Sequence, residues 1–160
     1  MVLDVGHGAG SFDWDIVESA MAQGVLPKTI SSDLQIYNVN GPVYDLASVV
    51  NKFLHLGLSL DEAFSRVTKV PAALIGLAGH IGTLAVGAWA DAVVFERRQG
   101  IFQLEDCLGQ VRSGTQKLTP ITVIKSGCVY RDHTLGGVGD GTAGPNSSIW
   151  SPAAHRHEHN

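Results

Sequence analysis

Two short apolar runs, each stopping at a polar side chain, constrain this chain more than any other feature. Val2-Leu3-Asp4-Val5 passes through Gly6 into His7, and Thr29-Ile30-Ser31-Ser32 runs into Asp33. Between them, Phe12 to Gln23 places Ile16, Val17, Ala20 and Met21 on one face at helical spacing. Ser11 is the expected cap, Asp13 and Asp15 sit in the first turn, and Gly24 is the stop. Strand, helix and strand in about 30 residues is the size of a βαβ crossover. If both strands lie in one parallel sheet, His7 and Asp33 emerge at its carboxyl edge, where α/β folds build their sites.

The segment that follows is helical and then changes character. After the loop Leu34 to Gly41, Pro42 is a suitable first-turn residue for a helix carrying Leu46, Val49, Val50, Phe53 and Leu54 on one face and ending at Gly57. Ser59 and Glu62 form a capping box for a further helix with Ala63, Val67 and Val70 inward; Pro71 either kinks it or opens a short helix to Ile75. From Gly82 the pattern is β: Ala90 to Glu96, Ile101 to Leu104, Ile121 to Ile124, and a hairpin through Gly127 to Cys128-Val129-Tyr130. The organisation expected is therefore residues 1–80 as an α/β part, 81–132 as a small β segment and 133–160 as a flexible Gly/Ser/His tail.

Charge and cysteine content remove several classes of function. A net charge of -4, with no Lys/Arg run, gives no electrostatic ground for a nucleic-acid partner. Two cysteines, Cys107 and Cys128, are too few for a disulfide framework and read as reduced, partly buried thiols. Val70 to Ala90 carries no charged side chain, but its glycines and Pro71 break it into a turn between two elements, so no membrane span is expected. With no signal-peptide pattern at Met1, a cytoplasmic location is the default expectation.

Few residues could carry chemistry. His7 lies among Gly6, Gly8 and Gly10, which allow a tight turn and an accessible imidazole; as a phosphate cradle this stretch lacks the Lys and Ser/Thr of a P-loop. Asp33 at a strand end needs a pair, a hydrogen bond or a metal. Asn38 and Asn40 point to the same mouth, although turn formation alone also explains them. His155, His157 and His159 alternate, which would put them on one side of an extended tail, at a large ordering cost for any metal site they closed.

Asp4-Val5-Gly6-His7-Gly8, Ile30-Ser31-Ser32-Asp33-Leu34, Asn38 to Leu46 and Gly82 to Asp91 together resemble the amidohydrolase superfamily, in its dihydroorotase-like deacetylase branch, over residues 2 to about 130. The resemblance implies the C-terminal two βα units of a (β/α)8 TIM-type barrel, followed by part of a small β-sandwich domain. It further implies a divalent metal, usually zinc, and a metal-activated water that hydrolyses an amide, cyclic amide or acyl ester of a small molecule. Asp33 matches the aspartate ending the eighth strand, a metal ligand and general acid/base; His7 matches the histidine after the seventh, facing the substrate, with Asn38 and Asn40 at the pocket mouth.

A complete barrel takes about 250 residues, and the family's His-x-His pair, bridging lysine and two further histidine ligands have no counterpart in these units. The expectation is a C-terminal fragment of such a hydrolase, with little activity by itself. The alternative is a non-catalytic remnant that self-associates or depends on an N-terminal half-barrel partner.

Overall fold

The computed structural model describes residues 1–130. The 131–160 segment, and with it the expected tail and His155, His157 and His159, lies outside the described residues. Strands β1 (Asp4–Gly6) and β2 (Thr29–Ser31) pair in parallel, with Asp4 opposite Thr29 and Gly6 opposite Ser31. Helix α1 (Trp14–Ala22) lies between them in the chain, as the spacing of the apolar runs predicts.

The start of α1 corrects one expectation. Asp13, not Ser11, is the cap, its carboxylate accepting from the backbone N–H of Asp15 and Ile16. Ser11 still belongs to the preceding turn, where its N–H donates to the His7 carbonyl at 3.2 Å. The inward face is also rotated: Trp14 and Val17 are buried, whereas Ile16 is 69% exposed. Trp14 takes the core-facing position and donates its indole N–H to the Leu104 carbonyl at 3.2 Å. Two residues further on, a side chain points roughly 200° away.

Helix α2 (Leu46–His55) begins four positions after Pro42. The Asn38 carbonyl gathers the N–H groups of Gly41, Val43 and Tyr44 into a turn, so Asp45 becomes the cap, its carboxylate accepting from Ser48 N–H at 2.6 Å. Ala47 and Val49 to Leu54 are all buried, while Leu46, expected inward, remains exposed. The capping box of α3 (Leu60–Val67) forms as the sequence predicts, between Ser59 and Glu62. Then α4 (Lys69–Leu74) is a separate short helix with Pro71 in its first turn, where a missing N–H costs no helical bond.

The β region is a three-stranded antiparallel sheet, β3 (Ala92–Glu105), β4 (Val111–Lys125) and β5 (Cys128–Tyr130), in that order. The two runs expected at Ala90 to Glu96 and Ile101 to Leu104 are one strand, because a register shift between Gln99 and Phe102 absorbs the irregular residues. The expected hairpin into Cys128 turns at Ser126 and Gly127, both at positive φ. Cys107 is half-buried as expected, but Cys128 is exposed on β5; both are free thiols.

One core serves both regions. Leu104 and Leu118 of the sheet pack with Phe12, Trp14, Val49 and Phe53. Asn51 of α2 donates to the Leu118 carbonyl at 3.0 Å and accepts from its N–H at 2.8 Å. Asp106 is buried and accepts from the N–H groups of Trp14, Leu108 and Gln110. No helix among the described residues is long and apolar enough to cross a membrane.

Candidate active-site groove

The parallel register brings His7 and Asp33 to the same end of the β1–β2 pair, and their environments then diverge. Beyond the strands, His7 N–H donates to the Ser31 carbonyl at 3.4 Å and Gly8 N–H to the Ser32 carbonyl at 3.2 Å. The chain after β1 is thereby laid against the chain after β2. Asp33 sits at φ 46 and is exposed, and its carboxylate lies directly over Gly8. A Cβ on Gly8 would stand 2.6 Å from Asp33 Oδ2, and Gly8 itself has φ +54, so only glycine suits both the backbone and the carboxylate. The carboxylate borders a groove of about 580 Å³ lined by Asp4, Val5, Gly6, Ser11, Ser31 and Asp33. Ser31 donates its hydroxyl to Asp4 Oδ2 at 2.6 Å, and among the described residues the Asp33 carboxylate keeps one long hydrogen bond, from Gln35 Nε2 at 3.4 Å.

His7 overturns the expectation of an accessible imidazole. It is fully buried, stacked on Phe12 with centroids 4.9 Å apart and the rings 6° from parallel. Gly8, at φ 54, turns the backbone directly after it, and the side chain points into the core instead of the mouth. Its Nδ1 lies 2.9 Å from the Gly8 carbonyl, and Lys52 Nζ of α2 contacts its Nε2. A carbonyl only accepts, so Nδ1 carries the proton and Nε2 accepts from the lysine. Burial, with the Lys52 charge beside it, holds the pKa of His7 below the usual histidine value against the opposing pull of the Gly8 carbonyl.

Lys52 is the residue that sequence reasoning missed. It is 2% exposed, donates also to the Pro42 carbonyl at 3.1 Å, and its third direction faces the Phe12 ring, 5.3 Å from the centroid. Burial lowers its pKa to about 8 although Asp106, Glu105 and Cys107 pull it upward. The one signal available was its position, a single basic side chain inside the stretch Val49 to Leu54, which is apolar apart from Asn51.

The two asparagines separate as well. Asn38 is buried; its side-chain oxygen accepts from Gln35 N–H at 2.7 Å and its amide donates to the Asp33 carbonyl at 2.9 Å. Asn38 thus shapes the backbone that presents Asp33, while Asn40 is exposed on the following turn. The donor set does not complete a metal centre. Among the described residues no group of three or more His, Cys, Asp or Glu converges, both His7 ring nitrogens are engaged, and a catalytic zinc takes about three protein ligands. Asp33 could supply only one of them.

The model of the amidohydrolase family matches residues 11–129, and the chain belongs to that family. It is 37% identical over 131 residues to a deacetylase of Enterococcus faecalis, an alignment covering 81% of this chain and 35% of that protein. A solved adenine deaminase superposes with a TM-score of 0.77 at 36% identity, over 82% of this chain and 36% of that one. A solved dihydroorotase does so with a TM-score of 0.72 at 32% identity, over 81% and 35%. The chain thus spans about a third of the length of these relatives.

Proposed function

We propose that this chain is the C-terminal two βα units of a barrel hydrolase together with part of its small β domain, and that Asp33 carries its proton transfers. In the reaction a water adds to the carbonyl of a small amide, cyclic amide or acyl ester. Asp33 takes the proton of that water and hands it to the departing nitrogen or oxygen, so that the C–N or C–O bond breaks without releasing a free anion. The observation that carries this reading is an exposed carboxylate held at positive φ over a glycine, at the carboxyl end of a parallel strand pair. Asn38 supports it through the Asp33 carbonyl, and Asn40 lies on the turn that would rim the mouth. His7, being buried, serves the site from beneath instead of touching substrate. The metal implied by the family, zinc in the sequence reading, would draw its remaining ligands from outside the described residues.

The test pairs this chain with the part of the Enterococcus faecalis deacetylase that it does not cover, and follows amine release from a panel of N-acetyl amino acids and cyclic amides. Turnover is expected, and Asp33→Asn should lower it by about 10²–10⁴-fold. Undiminished turnover in Asp33→Asn would overturn the assignment. A second reading, a partner-dependent remnant without turnover, is favoured by the exposed apolar side chains Val2, Leu3, Val25 and Leu26 beside the two strands. A stable co-purifying assembly that hydrolyses nothing would select it.

A further inference from the structure

We propose that Lys52 is a positioning residue for Asp33, acting through His7 and the Gly8 peptide. The contacts form one uninterrupted chain. Lys52 Nζ donates to His7 Nε2, His7 Nδ1–H donates to the Gly8 carbonyl at 2.9 Å, and Gly8 lies under the Asp33 carboxylate so closely that a Cβ there would meet Oδ2 at 2.6 Å. The peptide preceding Gly8 is held as well, by the Gly8 N–H on the Ser32 carbonyl at 3.2 Å. The two peptides that meet at Gly8 therefore have little freedom while the imidazole keeps its tautomer, which the Gly8 carbonyl at Nδ1 and the lysine at Nε2 set together.

Energetics argues that the pair does more than fill space. A buried ammonium and imidazole cost desolvation that an apolar pair of similar volume would avoid, and such a replacement is often neutral or stabilising. Here every buried side-chain nitrogen and oxygen among the described residues has a partner, and Lys52 spends two of its donors on His7 and on the Pro42 carbonyl. Pro42 closes the Leu34–Gly41 loop that leaves Asp33, so one side chain ties both flanks of the carboxylate, the Gly8 turn and that loop. Apolar packing could hold the same volume but could not orient two carbonyls.

The experiment has a spectroscopic arm and a kinetic arm, and only the second rests on the proposed function. In the full chain, imidazole ¹⁵N shifts should report Nδ1–H for His7. Lys52→Met, by removing the donor at Nε2, should shift the imidazole ¹⁵N resonances and move both the Gly8 amide and the Asp33 side-chain ¹³C resonances, with Lys52→Arg returning them part of the way. His7→Gln, which offers an oxygen to Lys52 but loses the Nδ1–H donor, provides a second break in the chain should Lys52→Met not fold. It should move the same two resonances while keeping the Pro42 contact. In the complemented assembly, Lys52→Met and His7→Gln should each lower kcat at least about tenfold with KM within about twofold, since misplacing a catalytic group by 1 Å costs up to about 10²-fold. Unmoved Asp33 and Gly8 resonances in folded variants would overturn the proposal. So would unchanged kcat in these variants where Asp33→Asn lowers turnover as expected. Unchanged turnover in Asp33→Asn would instead remove the functional reading and leave the spectroscopic coupling to stand or fall by itself.

Discussion

At the residue scale, two side chains that look equivalent in the sequence have opposite fates. His7 and Asp33 each follow a short strand and leave the sheet at the same end, yet one is buried and the other exposed. The difference lies in what waits for each: a stacked Phe12 and a lysine from a helix 45 positions away for His7, and a glycine with no Cβ for Asp33. Neither partner is adjacent in the chain, so neither fate was legible there. The depressed pKa of Lys52 carries a prediction for stability. Below about pH 8 the folded and unfolded chains both hold the proton, and the cost of burying the charge is felt in full. Between about 8 and the ordinary lysine value of 10.5 the folded chain has lost it and the unfolded chain has not, so stability from this group rises with pH. The urea midpoint of the wild type, measured against that of Lys52→Met, should therefore climb between pH 8 and 10.5; parallel curves would contradict the burial of a titrating amine.

At the element scale, local rules predicted what local forces decide. The capping box at Ser59 and Glu62, the stop at Gly57 and the hairpin through Gly127 all formed where the residues required them. Errors came where a longer-range contact outbid the nearest one. Pro42 could have opened α2, but the Asn38 carbonyl gathers the following N–H groups, and the helix waits for Asp45. Ile16 fits a helical stripe, but Trp14 reaches the Leu104 carbonyl and turns α1 accordingly. The same kind of contact joins helix to sheet through Asn51, which bonds both backbone groups of Leu118. Asn51→Ala leaves a buried N–H and a buried carbonyl without partners, and should cost about 1–3 kcal/mol in equilibrium unfolding. A loss below about 0.5 kcal/mol would mean that water replaces the amide.

At the scale of the whole molecule, what the chain leaves uncovered matters as much as what it buries. Among the described residues the parallel sheet has only two strands, and a pair of that size is marginal without cover. Val2, Leu3, Val25, Leu26, Leu34 and Ile36 are all exposed around it. Adjacent apolar exposure of this kind marks an interaction surface. The chain alone should therefore self-associate, with an apparent mass in sedimentation velocity that rises with protein concentration. The part of the deacetylase it does not cover should suppress that rise; a concentration-independent monomer would argue that these side chains are solvated without penalty.

The sequence by itself determined the elements and the family: strand, helix and strand in a crossover's length, a helical stretch, then antiparallel β, with Asp33 at a strand end. Those are properties of spacing, propensity and turn chemistry, which act within a few residues. Only the tertiary structure decided which polar side chains face water. It placed Lys52 against His7, set His7 beneath Gly8, and left Asp33 above it, because burial and hydrogen-bond partnership depend on which distant residues the fold brings within 3 Å or so.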